Sequence, residues 1–122
     1  MLDGYGGLHA FAVGGNPMPP PAGSYPYWRP WDIARGVAVV PTGSLSLTSK
    51  GGLVLDGWGG IHPFTINGVG SGLTATGSQY WQGWDIARGI TVSHDGTGGY
   101  VGDGWGVLHP FSLTQAPLCP CC

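Results

Sequence analysis

The stretch Asp-Gly-Trp-Gly-Gly-Ile-His-Pro-Phe at 56–64 has two near copies. They are Asp-Gly-Tyr-Gly-Gly-Leu-His-Ala-Phe at 3–11 and Asp-Gly-Trp-Gly-Val-Leu-His-Pro-Phe at 103–111. A second block alternates with it: Tyr-Trp-Arg-Pro-Trp-Asp-Ile-Ala-Arg-Gly-Val at 27–37 returns as Tyr-Trp-Gln-Gly-Trp-Asp-Ile-Ala-Arg-Gly-Ile at 80–90. Asp3 and Asp56 lie 53 positions apart, as do His9 and His62, whereas Asp56 and Asp103 lie 47 apart. Periods of this size belong to arrays of small units that cannot bury their apolar faces alone. The shortfall falls between the second block and the next hairpin, where a surface turn absorbs a change of length. The chain divides accordingly into one repeat domain, 1–111, made of a partial unit 1–11 and two units, 12–64 and 65–111. A tail, 112–122, follows.

Each unit reads as strands and turns. Val37-Ala38-Val39-Val40 and Ile90-Thr91-Val92 are β-branched runs. They close on turn residues, Pro41-Thr42-Gly43 and Asp95-Gly96-Thr97-Gly98, with His94 beside the second turn. The next strand, Leu53–Asp56 or Tyr100–Asp103, turns over glycines into Ile61–Phe64 or Leu108–Phe111. Each unit thus supplies three antiparallel strands, and the linkers 12–26 and 65–79 leave room for a fourth. Trp-Asp-Ile-Ala-Arg has the length of one helical turn, but the glycine after it forbids a regular helix.

The fold class expected is all-β: an antiparallel repeat meander with β-propeller-like blades. Closed propellers use about 4–8 blades. Two full units and a partial one therefore belong to a longer array, to a ring completed between chains, or to hairpins packed face to face.

Composition limits the function classes. With 25 Gly and 11 Pro the chain would tend to disorder, but 42% hydrophobic residues and six Trp oppose that. Charged residues are only 8% and the net charge is −2, which gives no footprint for nucleic acid. A surface so short of charge favours self-association or burial against neighbours. No apolar run is long enough to span a bilayer, and the N-terminus has no signal-peptide pattern. Cys119, Cys121 and Cys122 crowd the last four positions, too cramped for a structural zinc site and suited to cross-linking between chains.

Around Asp95-Gly96-Thr97-Gly98-Gly99-Tyr100 and Asp103-Gly104-Trp105-Gly106, the chain resembles actinobacterial propeller-like repeats of the form PDGxGGYxLDxxGGxHPFG. These occur in large secreted or surface proteins. The likeness covers most of the chain apart from the linkers and the tail. It implies a propeller-type extracellular binding or structural region with no catalytic set to carry over.

Most charged residues belong to the repeated blocks: Asp3, Asp56 and Asp103; Asp32 and Asp85; Arg35 and Arg88. A catalytic group is needed once per domain, whereas a structural bond is needed in every unit. These residues, with His9, His62 and His109, are therefore expected to form a structural network. Asp before a glycine turn accepts local N–H bonds, and Asp85 pairs with Arg88 if that turn is helical. No catalytic residue, metal or cofactor is assigned. Residues 95–99 lack the further carboxylates of a calcium loop, and no nucleophile elbow or P-loop occurs.

Aromatic side chains are the contact candidates: Trp58 and Trp105 at turn tips, with Tyr5, Trp28 and Trp81. Trp31 and Trp84 are expected to pack between blades. The function expected is a non-enzymatic extracellular binding or self-assembling module, its partner a second copy in a homo-oligomer or fibre. Glycan or protein binding is the alternative, and a propeller-type hydrolase or lyase a more distant one.

Overall fold

Glycine turns and β-branched runs assemble two copies of one four-stranded unit. The computed structural model describes residues 1–18, 22–23, 25–40, 51–66 and 73–115. The turn 41–43 and the three cysteines lie outside the described residues. The first sheet contains β1 (Ala22–Gly23), β2 (Ala34–Val39), β3 (Gly51–Asp56) and β4 (Ile61–Ile66), in the order β1-β4-β3-β2. The second contains β5 (Leu73–Thr76), β6 (Ala87–Val92), β7 (Gly98–Asp103) and β8 (Leu108–Gln115), in the order β5-β8-β7-β6. Every pairing is antiparallel.

These are propeller-like blades, and the fourth strand of each lies in the linker. β8 runs on to Gln115, so residues 112–115 belong to the blade and not to a tail beginning at 112. Among the described residues no helix forms, and none is long and apolar enough to cross a membrane. Instead, Ala34 pairs with Asp56 and Gly36 with Leu55, leaving Arg35 as a bulge. Arg88 is bulged in the same way between Ala87 and Gly89. A bulge bends the strand and re-aims the extra side chain.

The two sheets stack. Val40, Leu53 and Leu55 of the first unit meet Leu73, Ala87, Val101, Phe111 and Leu113 of the second in one buried cluster. Burial of such side chains contributes about 1.5–3 kcal/mol each and dominates the stability. A glycine faces a phenylalanine across one strand pair in each sheet, Gly52 against Phe64 on the outer face of the first and Gly99 against Phe111 in the buried cluster. A Cβ on Gly52 would strike the Phe64 ring 2.5 Å away, and one on Gly99 the Phe111 ring at 2.9 Å. Each Phe lies across its facing glycine in place of a second side chain.

The partial unit 1–11 makes no sheet. Leu2 and Leu8 form a single bridge, and the hairpin rests against the second block of the following unit.

Candidate functional site

The three hairpins close in one way. In the middle one, Asp56 Oδ1 accepts the N–H groups of Trp58 and Gly60, each at 2.9 Å, while His62 Nε2 bonds to Oδ2 at 2.8 Å. Asp3 takes Tyr5, Gly7 and His9 in the same pattern. Asp103 takes Trp105, Val107 and His109. The glycine after each tip has a positive φ of 90–96°, which L side chains rarely adopt. Each aspartate thus spends both oxygens on its own turn.

These bonds favour the ionised carboxylate. The His9 bond holds Asp3 below the ordinary carboxylate range, aided by the Gly7 and Tyr5 amides. For Asp103 the His109 bond likewise leads, against partial burial. Burial is the largest influence on Asp56 and opposes its charge, but the His62, Gly60 and Trp58 bonds together outweigh it. Asp95 is held at about 2 by the hydroxyls of Ser93 and Thr97 and the Thr97 amide. Its Oδ1 takes all three of those donors inside its own turn, where His94 also sits.

A second network joins successive units. Asp85 does pair with Arg88, at 3.0 Å, but within an irregular turn ahead of the bulge rather than on a helix. Its stronger partner is Arg35, fifty positions earlier, whose guanidinium grips both carboxylate oxygens at 3.1 and 2.5 Å. Bidentate pairs of this kind are among the stronger charge-assisted contacts. The Arg35 bond lowers the Asp85 carboxyl and raises the Arg35 guanidinium. Asp32 makes only a 3.4 Å contact to Arg35, with its side chain 73% exposed.

Aromatic rings fill the gaps between hairpins. Trp28 packs edge-on to His62, and Trp81 to His109, with ring centres 5.0 Å apart in each pair. The same two rings lie over Gly6 and Gly59 of the preceding hairpins. Trp28 and Trp81, named as contact candidates, are half-buried spacers seated where the hairpin glycine leaves room.

Trp31 and Trp84 correct in the other direction. Expected to be packed, they are about half exposed and reach only the tip rings, Trp31 to Trp58 at 5.2 Å and Trp84 to Trp105 at 5.9 Å. Trp58 also meets Tyr80 at 6.3 Å and is enclosed from both sides. Tyr5 meets Tyr27 alone at 6.1 Å. Trp105, 79% exposed, is the most open of the tips.

Among the described residues no group of three or more His, Cys, Asp or Glu is placed to hold a metal. Two concavities stand out among the described residues. One, of about 350 Å³, is almost wholly apolar and lies between the N-terminal hairpin and the outer face of the first sheet, lined by Leu8, Phe11, Val37, Val39, Phe64 and Ile66 among others. The other, about 300 Å³ and shallow, surrounds the Asp95 turn. No family model matches the chain, and no significant match was found among curated proteins or solved structures.

Proposed function

We propose that this chain is a non-enzymatic structural module that assembles through its repeats, working in a secreted or cell-surface setting. The observation that carries this reading is the sameness of the three Asp–His hairpins, in each of which the aspartate closes its own turn through the same histidine. A catalytic group is needed once per domain, whereas this pair recurs as the bond that closes every hairpin. The extracellular setting rests on the likeness to repeats of secreted and surface proteins. Self-association rests on the sparse charge and on the large apolar side chains exposed at both ends of the stack, among them Phe11 and Val39 at one and Tyr100, Trp105 and Leu108 at the other.

Sedimentation of the chain under reducing conditions tests the proposal. Mass that rises with concentration is expected, and a monomer throughout would end the assembly reading. Trp105 favours a second reading, since an open ring on a turn is a platform for a sugar. Glycan-array signal abolished by Trp105→Ala, with folding intact, would establish it, whereas silence on a broad array would remove it.

A further inference from the structure

The contacts that join one unit to the next are regular enough to show which of them the last hairpin lacks. Trp28 N–H donates to the Tyr5 carbonyl at 2.7 Å, and Trp81 N–H to the Trp58 carbonyl at 2.6 Å. Ala34 N–H reaches the Gly4 carbonyl at 3.0 Å, while Ile86 and Ala87 reach that of Gly57 at 2.8 and 2.9 Å. Asp32 stands against Gly4, and Asp85 against Gly57. In the third hairpin, no backbone N–H of the described residues donates to the carbonyls of Gly104 or Trp105. Among the described residues no ring lies over Gly106, and a Cβ there would meet nothing within 4 Å. Arg88, half exposed, has Asp85 of its own turn but no counterpart of the contact that Arg35 makes fifty positions onward.

The outer face of the second sheet continues the pattern. Tyr100 and Leu108 occupy the places of Leu53 and Ile61, which in the first sheet pack against the second. Both are exposed. At the other end, the apolar concavity beside Val37, Val39 and Phe64 lies on the face that would meet them. The N-terminal hairpin now covering that end closes on itself by one bridge and meets the following block through two backbone bonds, the Trp28 ring over Gly6 and the Tyr5–Tyr27 contact. Its His9, however, has no Trp ring of the kind that packs on His62 and His109.

The geometry points to a second copy of this chain as the occupant: its 27–37 segment docks on the 103–109 hairpin of the first copy and displaces its own 1–11 hairpin. This inference rests on the assembly reading above and names its interface. Trp28 of the incoming copy lies over Gly106, its N–H meets the Trp105 carbonyl, and its Asp32 takes Arg88. One end differs from the other, so the contact is heterologous and propagates into a fibre or closes into a ring. Tyr100 and Gly102 stand where Leu53 and Leu55 do within the chain, which makes this junction weaker than the internal one and dependent on concentration.

Charge exchange tests the interface on the full chain, by sedimentation over a range of concentrations in reducing buffer. Arg88→Asp alone and Asp32→Arg alone are each expected to weaken association by about tenfold or more, since each sets like charges together. Their equimolar mixture is expected to recover the original association, because every junction between the two variants then joins opposite charges. Asp3→Ala, which loosens only the hairpin to be displaced, is expected to strengthen association, and it keeps the test open if Arg88→Asp fails to fold. Association indifferent to the charge variants, a mixture no better than its parts, or weakening by Asp3→Ala would each overturn this interface while leaving self-assembly standing. A wild-type chain that stays monomeric overturns both.

Discussion

The hairpins at 56–62 and 103–109 share an internal design and differ in what surrounds them. Each has an aspartate accepting two turn amides and a histidine, and each has a tryptophan tip. The middle hairpin is clasped from both sides, by the Ile33 carbonyl behind it and by Trp81, Ile86 and Ala87 ahead. Among the described residues the last is clasped only from behind, by Ile86. The internal bonds are therefore a property of the local sequence, and burial is a property of position in the stack. Asp56 is 9% exposed for that reason, and Trp105 is open for the same one.

Removal of the central carboxylate breaks the comparison most severely. Asp56→Ala empties a shielded acceptor site between half-buried Trp58, Gly60 and His62, and is expected to cost about 3 kcal/mol in denaturant unfolding. Asp103→Ala removes the same set of bonds from an equally shielded carboxylate, but in a turn whose Trp105 and Val107 are exposed to water, and is expected to cost clearly less. Equal losses would mean that the neighbouring blocks contribute nothing to the turn.

The tip rings come next. Trp58 lies between Trp31 and Tyr80, so Trp58→Ala is expected to cost about 2 kcal/mol, short of the figure for a fully buried ring. Trp105→Ala is expected to stay within about 0.5 kcal/mol for the isolated chain, as surface substitutions do. A larger loss for Trp105 at concentrations where the protein is monomeric would contradict the open site.

The strands and the hairpins were legible because their signals are local. Short apolar runs on either side of an Asp-Gly turn fix Leu53–Phe64 without help from elsewhere. The Asp-to-His closure spans six positions and was within reach of the same reasoning. What joins the units was not. Arg35 to Asp85 crosses fifty positions, and the bulge that aims Arg35 there has no sequence signal beyond the Gly after it. Trp28 and Trp31 stand three residues apart in one block, yet the first is a spacer and the second lies half in water. Their roles depend on the glycine of another unit, which no window around either residue contains. The blade boundary at 111 failed similarly, since β8 is extended to Gln115 by pairing with β5.

The glycines after the tips sharpen the difference further. Gly59 and Gly106 share a positive φ, 94° and 90°, so alanine strains both, by about 1 kcal/mol. Gly59→Ala also pushes against the Gln79 carbonyl and the Trp81 ring, whereas Gly106→Ala meets open space. Gly59→Ala is therefore expected to be more destabilising by roughly 1 kcal/mol. Equal unfolding midpoints for the two variants would show that Trp81 does not depend on its seat.

Acid should separate the two hairpins by the smallest margin. The folded carboxylates of Asp56 and Asp103 are held below their ordinary value, so the stability they add is complete above the unfolded value of about 3.9 and is lost as pH falls through the folded ones. Only as pH falls through those lowered folded values do the carboxylates take up protons and the turns lose their acceptors. The turn at 103–109, clasped on one side only, then opens locally, while that at 56–62 stays shut until its neighbours yield. Hydrogen exchange followed downward from pH 5 is expected to show protection at the Trp105 and Val107 amides falling before that at Trp58 and Gly60. Simultaneous loss at all four would mean that the stack melts as one body, leaving no free hairpin for a second copy to meet.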